Sequence, residues 1–256
     1  MFYHGGKVYK IHALIAAAGS ASRMGAAAGG VNKVYADLNG AAVISHSINK
    51  FAAAGFVDSV TAVIASGSKL TFNKAIKNAN MPPVDKITGG PTRGDSVYNG
   101  LKKIIEKAGK EENSIVIIHD GARPNFRISD LTAAVKTLLS YDAQYSRPAG
   151  VVFASPSFDT LCQIGPDGMI DSYADRAKIY KIATPQVFDL NTIYRCFTKL
   201  ESINMSAANA FSDESSLAVH FGCKVLIYKC PSDNIKITTI EDLNYLKSIM
   251  KAESGV

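Results

Sequence analysis

Five cations, and Asp120 among them, stand in short loops that follow apolar runs and are rich in glycine or small hydroxyls. GSASRMG (19–25) carries Arg23, with Lys33 following in VNKVY. GGPTRGDSV (89–97) carries Arg93 and Ser96, HDGARP (119–124) carries Asp120 and Arg123, and DNIKITTIEDL (233–243) carries Lys236. Cationic side chains and backbone N–H groups in such turns bind phosphate oxygens. Two familiar phosphate loops do not match. A dinucleotide loop needs glycines two and five positions after Gly19, where Ala21 and Met24 stand, and the P-loop fails at Met24 as well. The loop is suited to phosphate but follows neither pattern. Taken singly, each segment has a plain structural reading. The first is a strand-to-helix turn, Asp120 and Arg123 make a local ion pair worth at most ~1 kcal/mol if exposed, and Lys236 in NIKITT alternates like a solvated strand position. His119 reads as a core or hydrogen-bonded histidine. The convergence of all four loops is what points to a nucleotide pocket.

Convergence requires a particular scaffold. Residues 11–17, 57–65, 85–88 and 114–119 read as strands. Residues 42–54, 69–79, 96–107 and 128–140 read as helices. This alternation predicts βαβ units around a parallel sheet, with ligands at the carboxyl ends of the strands. Residues 150–154 form a further short apolar run. From 156 to 182 turn signals (GPDG) and alternation predict a projecting β-arm of the kind that exchanges contacts in a dimer. Helices near 190–200, 213–220 and 240–251 and a strand at 224–229 complete the pattern. The expectation is α/β, a doubly wound, mostly parallel twisted sheet, in a single domain over 1–256.

Bulk properties agree. The 256 residues are 47% apolar and 20% charged, ordinary for a globular chain. No apolar run approaches the ~20 residues that span a bilayer, and residues 1–10 lack a signal-type apolar core, reading as an exposed leader. A cytoplasmic location and no membrane partner follow as expectations. The net charge of +6 suits polyanionic ligands. No basic run or basic-aromatic helix points to nucleic acid. The four cysteines form no C-x-x-C and read as small apolar residues or idle thiols.

The ordered segments AAGSASRMG, GGPTRGDSVYNGL, HDGARP, ATPQVF and FSDESSLAVHFGCKVLIYKCPSDNIKITTIEDL resemble the 2-C-methyl-D-erythritol 4-phosphate cytidylyltransferases of the non-mevalonate route to isoprenoid precursors. The likeness runs from about residue 11 to about residue 251. It implies a Rossmann variant like that of the nucleotide-diphospho-sugar transferases. It also implies transfer of CMP from CTP to the acceptor, giving 4-diphosphocytidyl-2-C-methyl-D-erythritol and pyrophosphate. By the same resemblance Ala17, Ala18, Gly19 and Ser20 wrap the CTP phosphates. Gly90, Arg93 and Ser96 meet the base, and Asp120 and Ala122 lie near the ribose and metal. Arg23, Lys33, Arg176 and Lys236 form the catalytic set. Arg123, Thr160, Arg176, Ser212 and Lys236 hold the acceptor, with Thr160 and Arg176 reaching in from the partner of a homodimer. Mg²⁺ is implied, held mainly by CTP with Asp120 as the candidate protein ligand.

The chain departs from the family pattern at Ala21, at Asn32-Lys33-Val34-Tyr35, at Gly121, and by an alanine-rich insert near 26–30 that lengthens the path to Lys33. Ribitol 5-phosphate cytidylyltransferases share most of these motifs. Sugar-phosphate nucleotidyltransferases and a non-catalytic nucleotide-binding module are the further alternatives. The absence of a Ser-His-Asp set suits the reaction. A phosphate monoester, with its second pKa near ~6, is already an anionic nucleophile at pH 7.

Overall fold

The computed structural model describes residues 1–19, 32–77, 83–109, 113–141, 147–203 and 211–253. In chain order the strands and helices are β1 (Phe2–His4), β2 (Lys7–Ala17), β3 (Asp37–Leu38), β4 (Ala41–Ala42), α1 (Val43–Ala53), β5 (Ser59–Ile64), α2 (Lys69–Ala75), β6 (Val84–Thr88) and α3 (Arg93–Ala108). They continue with β7 (Ser114–Asp120), α4 (Ile128–Leu139), β8 (Gly150–Pro156), β9 (Cys162–Ile164), β10 (Ile170–Tyr173), β11 (Tyr180–Asp189), α5 (Leu190–Ser202), α6 (Glu214–His220), β12 (Val225–Lys229) and α7 (Ile240–Glu253).

The main sheet runs β12-β8-β11-β7-β2-β5-β6. Neighbours pair in parallel except β11, which is antiparallel to both β7 and β8. Its inner strands are apolar on both faces because both faces are covered. On β7, Ile115 and Ile117 join the core under α1 and α4, while Val116 and Ile118 join the core under α3 and α5. This is the doubly wound arrangement. The carboxyl ends of β2, β5, β6 and β7 lie along one edge, and so does the amino end of β11.

The starts of α3 and α6, the two helices that reach the site, are set by side chains that cap free N–H groups. Thr92 and Asp95 form a capping box on α3, and Asp213 and Ser216 form one on α6.

Several expected boundaries change. Residues 1–10 are not a leader: β1 pairs with Lys7–Tyr9 at the start of β2, the terminal ammonium meets Asp58 at 2.8 Å, and Phe2 packs edge-on against Phe56. The helix expected over 69–79 stops at Ala75. The segment ATPQVF, unassigned by periodicity, is the middle of β11. Its register against β8 shifts between Ala183 and Gln186, where Pro185 has no N–H for the ladder. Lys236 is not on a strand, since residues 230–238 are irregular. Beyond β8 the chain forms the β9–β10 ribbon and a 3₁₀ turn at Arg176–Lys178 before returning as β11. The arm therefore leaves from the sheet edge where the parallel strands end.

Candidate active site

Two adjoining cavities open at that edge. The larger, about 510 Å³, is lined by Ala17, Ala18, Gly19, Lys33, Gly90, Arg93, Ser96, Asp120, Ala122 and Lys236, among others. The smaller, about 210 Å³, is lined by Arg123, Thr184, Gln186, Ser212 and Asp213, and it shares Arg93, Asp120 and Lys236 with the larger.

The small residues of the first two loops are there because the loops touch. A Cβ on Gly89 would collide with Ala18 and come within 2.7 Å of Ser96 Oγ, and one on Gly90 would lie 2.5 Å from Asp95 Cβ. Gly90 N–H donates to Ser96 Oγ at 3.0 Å, and that hydroxyl donates to Thr92 O at 2.8 Å. Ser96 is buried and shapes the loop from inside. Lys33 is placed by Asn32. The Asn32 amide donates to Gly19 O at 3.0 Å, and its Oδ1 accepts from Val34 N–H at 3.3 Å, capping the short turn Lys33–Tyr35. Lys33 thus lines the cavity across from Gly19 despite the insert between them. Ser20 and Arg23 lie outside the described residues.

Asp120 is the hub. Its Oδ1 accepts from Arg93 Nε at 3.0 Å, and its Oδ2 meets Lys236 Nζ at 2.9 Å and Arg123 Nε at 3.6 Å. Burial alone would raise its carboxyl. Arg93, Lys236 and Arg123 outweigh that and hold it well below the usual carboxylate range. Its own N–H donates to Thr184 Oγ1 at 2.9 Å. Arg93 also forks onto buried Glu214, Nη1–Oε1 2.7 Å and Nη2–Oε2 3.1 Å. Burial opposes the Arg93 charge, but Glu214 and Asp120 more than restore it.

Lys236 arrives by docking. Ile237 N–H donates to Ala122 O at 2.9 Å, Arg123 Nη1 to Asn234 O at 2.9 Å, and Asn234 Nδ2 to Thr184 O at 2.9 Å. The loops HDGARP and DNIKIT are one structure, closed on β11. His119 is fully buried among Phe51, Phe126, Ser47 and Thr184, and burial pushes it down to about 3. It is a neutral packing group.

Ser212 lines the smaller cavity beside Lys236. Thr160 and Arg176 are exposed on the arm and line neither cavity. Sequence alone does not point to Glu214 or Thr184, and it marks Asn32 only as a departure from the family pattern. Glu214 stands in the first turn of α6, and its partner is 121 positions away. The one available signal was its place beside the Asp213 cap in FSDESSL.

The model of the family 2-C-methyl-D-erythritol 4-phosphate cytidylyltransferase matches residues 11–252. The chain belongs to that family. The cytidylyltransferase so named from Pelotomaculum thermopropionicum is 33% identical over 248 residues, covering 96% of each chain, and that from Clostridium botulinum is 34% identical over 234 residues, 91% of this chain and 96% of the relative. Among solved structures, the 4-diphosphocytidyl-2C-methyl-D-erythritol synthase of Anaerococcus prevotii superposes with a TM-score of 0.76 at 25% identity, over 95% of this chain and 99% of its own. The cytidylyltransferase of Francisella tularensis gives 0.73 at 26%, over 92% and 97%. The protein is a CTP-dependent nucleotidyltransferase acting on 2-C-methyl-D-erythritol 4-phosphate.

Proposed function

We propose that the larger cavity receives CTP, the smaller receives the phosphate of methylerythritol phosphate, and CMP passes between them beside the Asp120–Lys236 pair. The supporting observation is that Arg93, Asp120 and Lys236 line both cavities. The reaction sets two polyanions in contact, and its barrier is one of alignment and charge rather than of proton removal. Backbone groups at Ala17–Gly19 with Ser20 wrap the triphosphate, and Gly90, Arg93 and Ser96 frame the base. Asp120 and Ala122 border the ribose. Arg23 and Lys33 stabilise the charge gathering on the oxygens of the α-phosphate as it is attacked. Lys236, with Arg123 and Ser212, receives the acceptor phosphate, whose oxygen attacks as pyrophosphate leaves.

Asp120 is the carboxylate in the larger cavity, and both its oxygens already accept from cations. Among the described residues no group of three or more His, Cys, Asp or Glu is placed to hold a metal. This donor set fits Mg²⁺ carried in on the CTP oxygens, largely hydrated, with Asp120 at most a single ligand. Bound there, the ion would neutralise charge on the triphosphate.

A homodimer completes the reading. Thr160 and Arg176 would serve the partner's acceptor cavity, and the arm's exposed Phe158, Ile164, Met169 and Tyr173 would be covered by that partner. The whole chain acts as one catalytic domain in the cytoplasm. Among the described residues no helix is long and apolar enough to cross a membrane.

Pyrophosphate release with CTP and Mg²⁺ tests the reading. Methylerythritol phosphate is expected to be preferred over ribitol 5-phosphate, and equal or reversed preference would reject the acceptor. Lys33→Ala and Lys236→Ala are each expected to lower turnover by roughly 100-fold while far-UV circular dichroism and melting stay near wild type.

A further inference from the structure

Arg93 reaches both cavities from the first turn of α3, but its guanidinium is gripped from behind. Glu214, on α6, is 1% exposed, and its two oxygens take the two terminal nitrogens of Arg93 at 2.7 and 3.1 Å. Asp120 therefore meets Arg93 through Nε alone, at Oδ1 and 3.0 Å. Its other oxygen meets Lys236 at 2.9 Å and, at the longer distance of 3.6 Å, Arg123 Nε.

A guanidinium favours a two-point fork with a carboxylate. With its terminal nitrogens unclaimed, Arg93 could swing to take both oxygens of Asp120, and Lys236 would lose its partner. Glu214 cannot drift away to water, because an unpaired charge in so buried a place is strongly disfavoured. Glu214 lines neither of those two cavities; it borders a neighbouring one of about 310 Å³ that shares Arg93 and Ser212 with the smaller.

We propose that Glu214 is a positioning residue for cytidylyl transfer: by holding both terminal nitrogens of Arg93 it confines Arg93 to one oxygen of Asp120 and reserves the other for Lys236. The inference rests on Lys236 as the group that receives the acceptor phosphate. It makes a buried acid that lines neither proposed substrate cavity responsible for where that phosphate sits.

Glu214→Gln keeps the shape and removes the charge. The expected result is a fall of about 10- to 100-fold in kcat/KM for methylerythritol phosphate, carried mainly by its KM, with a smaller change in KM for CTP. Glu214→Asp, which keeps the charge, should recover part of the loss. On a Lys236→Ala background Glu214→Gln should cost little more, since the group it acts through is gone. Independently of turnover, labelling of Lys236 by an amine-acylating reagent, followed by mass spectrometry, should quicken several-fold in Glu214→Gln. Wild-type kinetics, additive penalties in the double variant, or unchanged Lys236 labelling would each overturn the inference. If Glu214→Gln does not fold, Glu214→Asp carries the same readouts with a smaller shift expected. A wild-type enzyme that releases no pyrophosphate would instead defeat the reading of the reaction, and the labelling would still decide what Glu214 does.

Discussion

His119 and Asp120 are adjacent in the chain and are driven in opposite directions by one environment. Burial disfavours charge on both. Asp120 stays ionised because Arg93, Lys236 and Arg123 surround it, whereas His119 is surrounded mainly by rings and hydroxyls and is pushed from 6.5 down to about 3. Between those two pH values the unfolded chain binds a proton on His119 that the folded one refuses. This contribution to stability is complete above about pH 6.5 and is lost as pH falls, with a slope of at most about 1.4 kcal/mol per pH unit. His46, lowered chiefly by burial, adds in the same direction. Chemical denaturation from pH 8 to pH 5 should show wild-type stability falling, and His119→Gln should show a flatter profile whatever its absolute stability. A variant profile parallel to wild type would refute the assignment. From the sequence, HDGARP read as an ion pair with a core histidine beside it. Both features are present, but the ion pair is one edge of a five-membered network. Its other members come from two helix starts and a docked irregular segment that sequence spacing could not bring into contact.

At the level of elements, the helices and inner strands were largely legible, because burial on two faces leaves uninterrupted apolar runs and helical periodicity. The failures have specific causes. Pro185 breaks the pattern of β11, and antiparallel pairing at the centre of a parallel sheet leaves no signature in a six-residue segment. The alternation in NIKITT imitates a strand, while its backbone groups go to Ala122 and Arg123 instead of to a ladder. Conversely, in the sequence the two glycines of GGPTRG mark a small-residue loop after a strand, with Gly90 placed at the base by resemblance alone. The structure shows what they exclude: a Cβ at Gly90 would press on Asp95, whose carboxylate closes the cap on α3. Gly90→Ala should therefore cost about 1–3 kcal/mol of stability and raise KM for CTP more than it lowers kcat. Urea melts with steady-state kinetics would check both, and a stable variant with wild-type KM would show that the loop yields at no cost.

Across the whole molecule the arm is the part that a single chain leaves unexplained. It leaves from the same sheet edge as the two cavities, yet Thr160 and Arg176 stand in solvent, as do Phe158 and Met169 on the same arm. If Arg176 serves the partner's cavity, Arg176→Ala and Lys236→Ala fail in different subunits' contributions to one site. Mixing the two inactive variants under exchange conditions should then restore activity. Random pairing puts half the dimers in the mixed state with one intact site of two, so recovery of about a quarter of wild-type activity is expected for a two-fold assembly. No recovery, in a mixture shown to have exchanged subunits, would place Arg176 outside the partner's site.

The order of apolar runs and small-residue loops was enough, read along the chain, to establish the class of sheet and the family and to point to the sheet edge where the loop cations meet. These are properties of local pattern, and local pattern survives in one dimension. The sequence could not reveal that Asn32 returns Lys33 to Gly19, that Glu214 grips Arg93, or that Lys236 reaches Asp120 on a docked, irregular segment. Each of these is a contact between distant positions. Its energy depends on burial and on the partner's exact bearing, and neither exists until the chain has closed on itself.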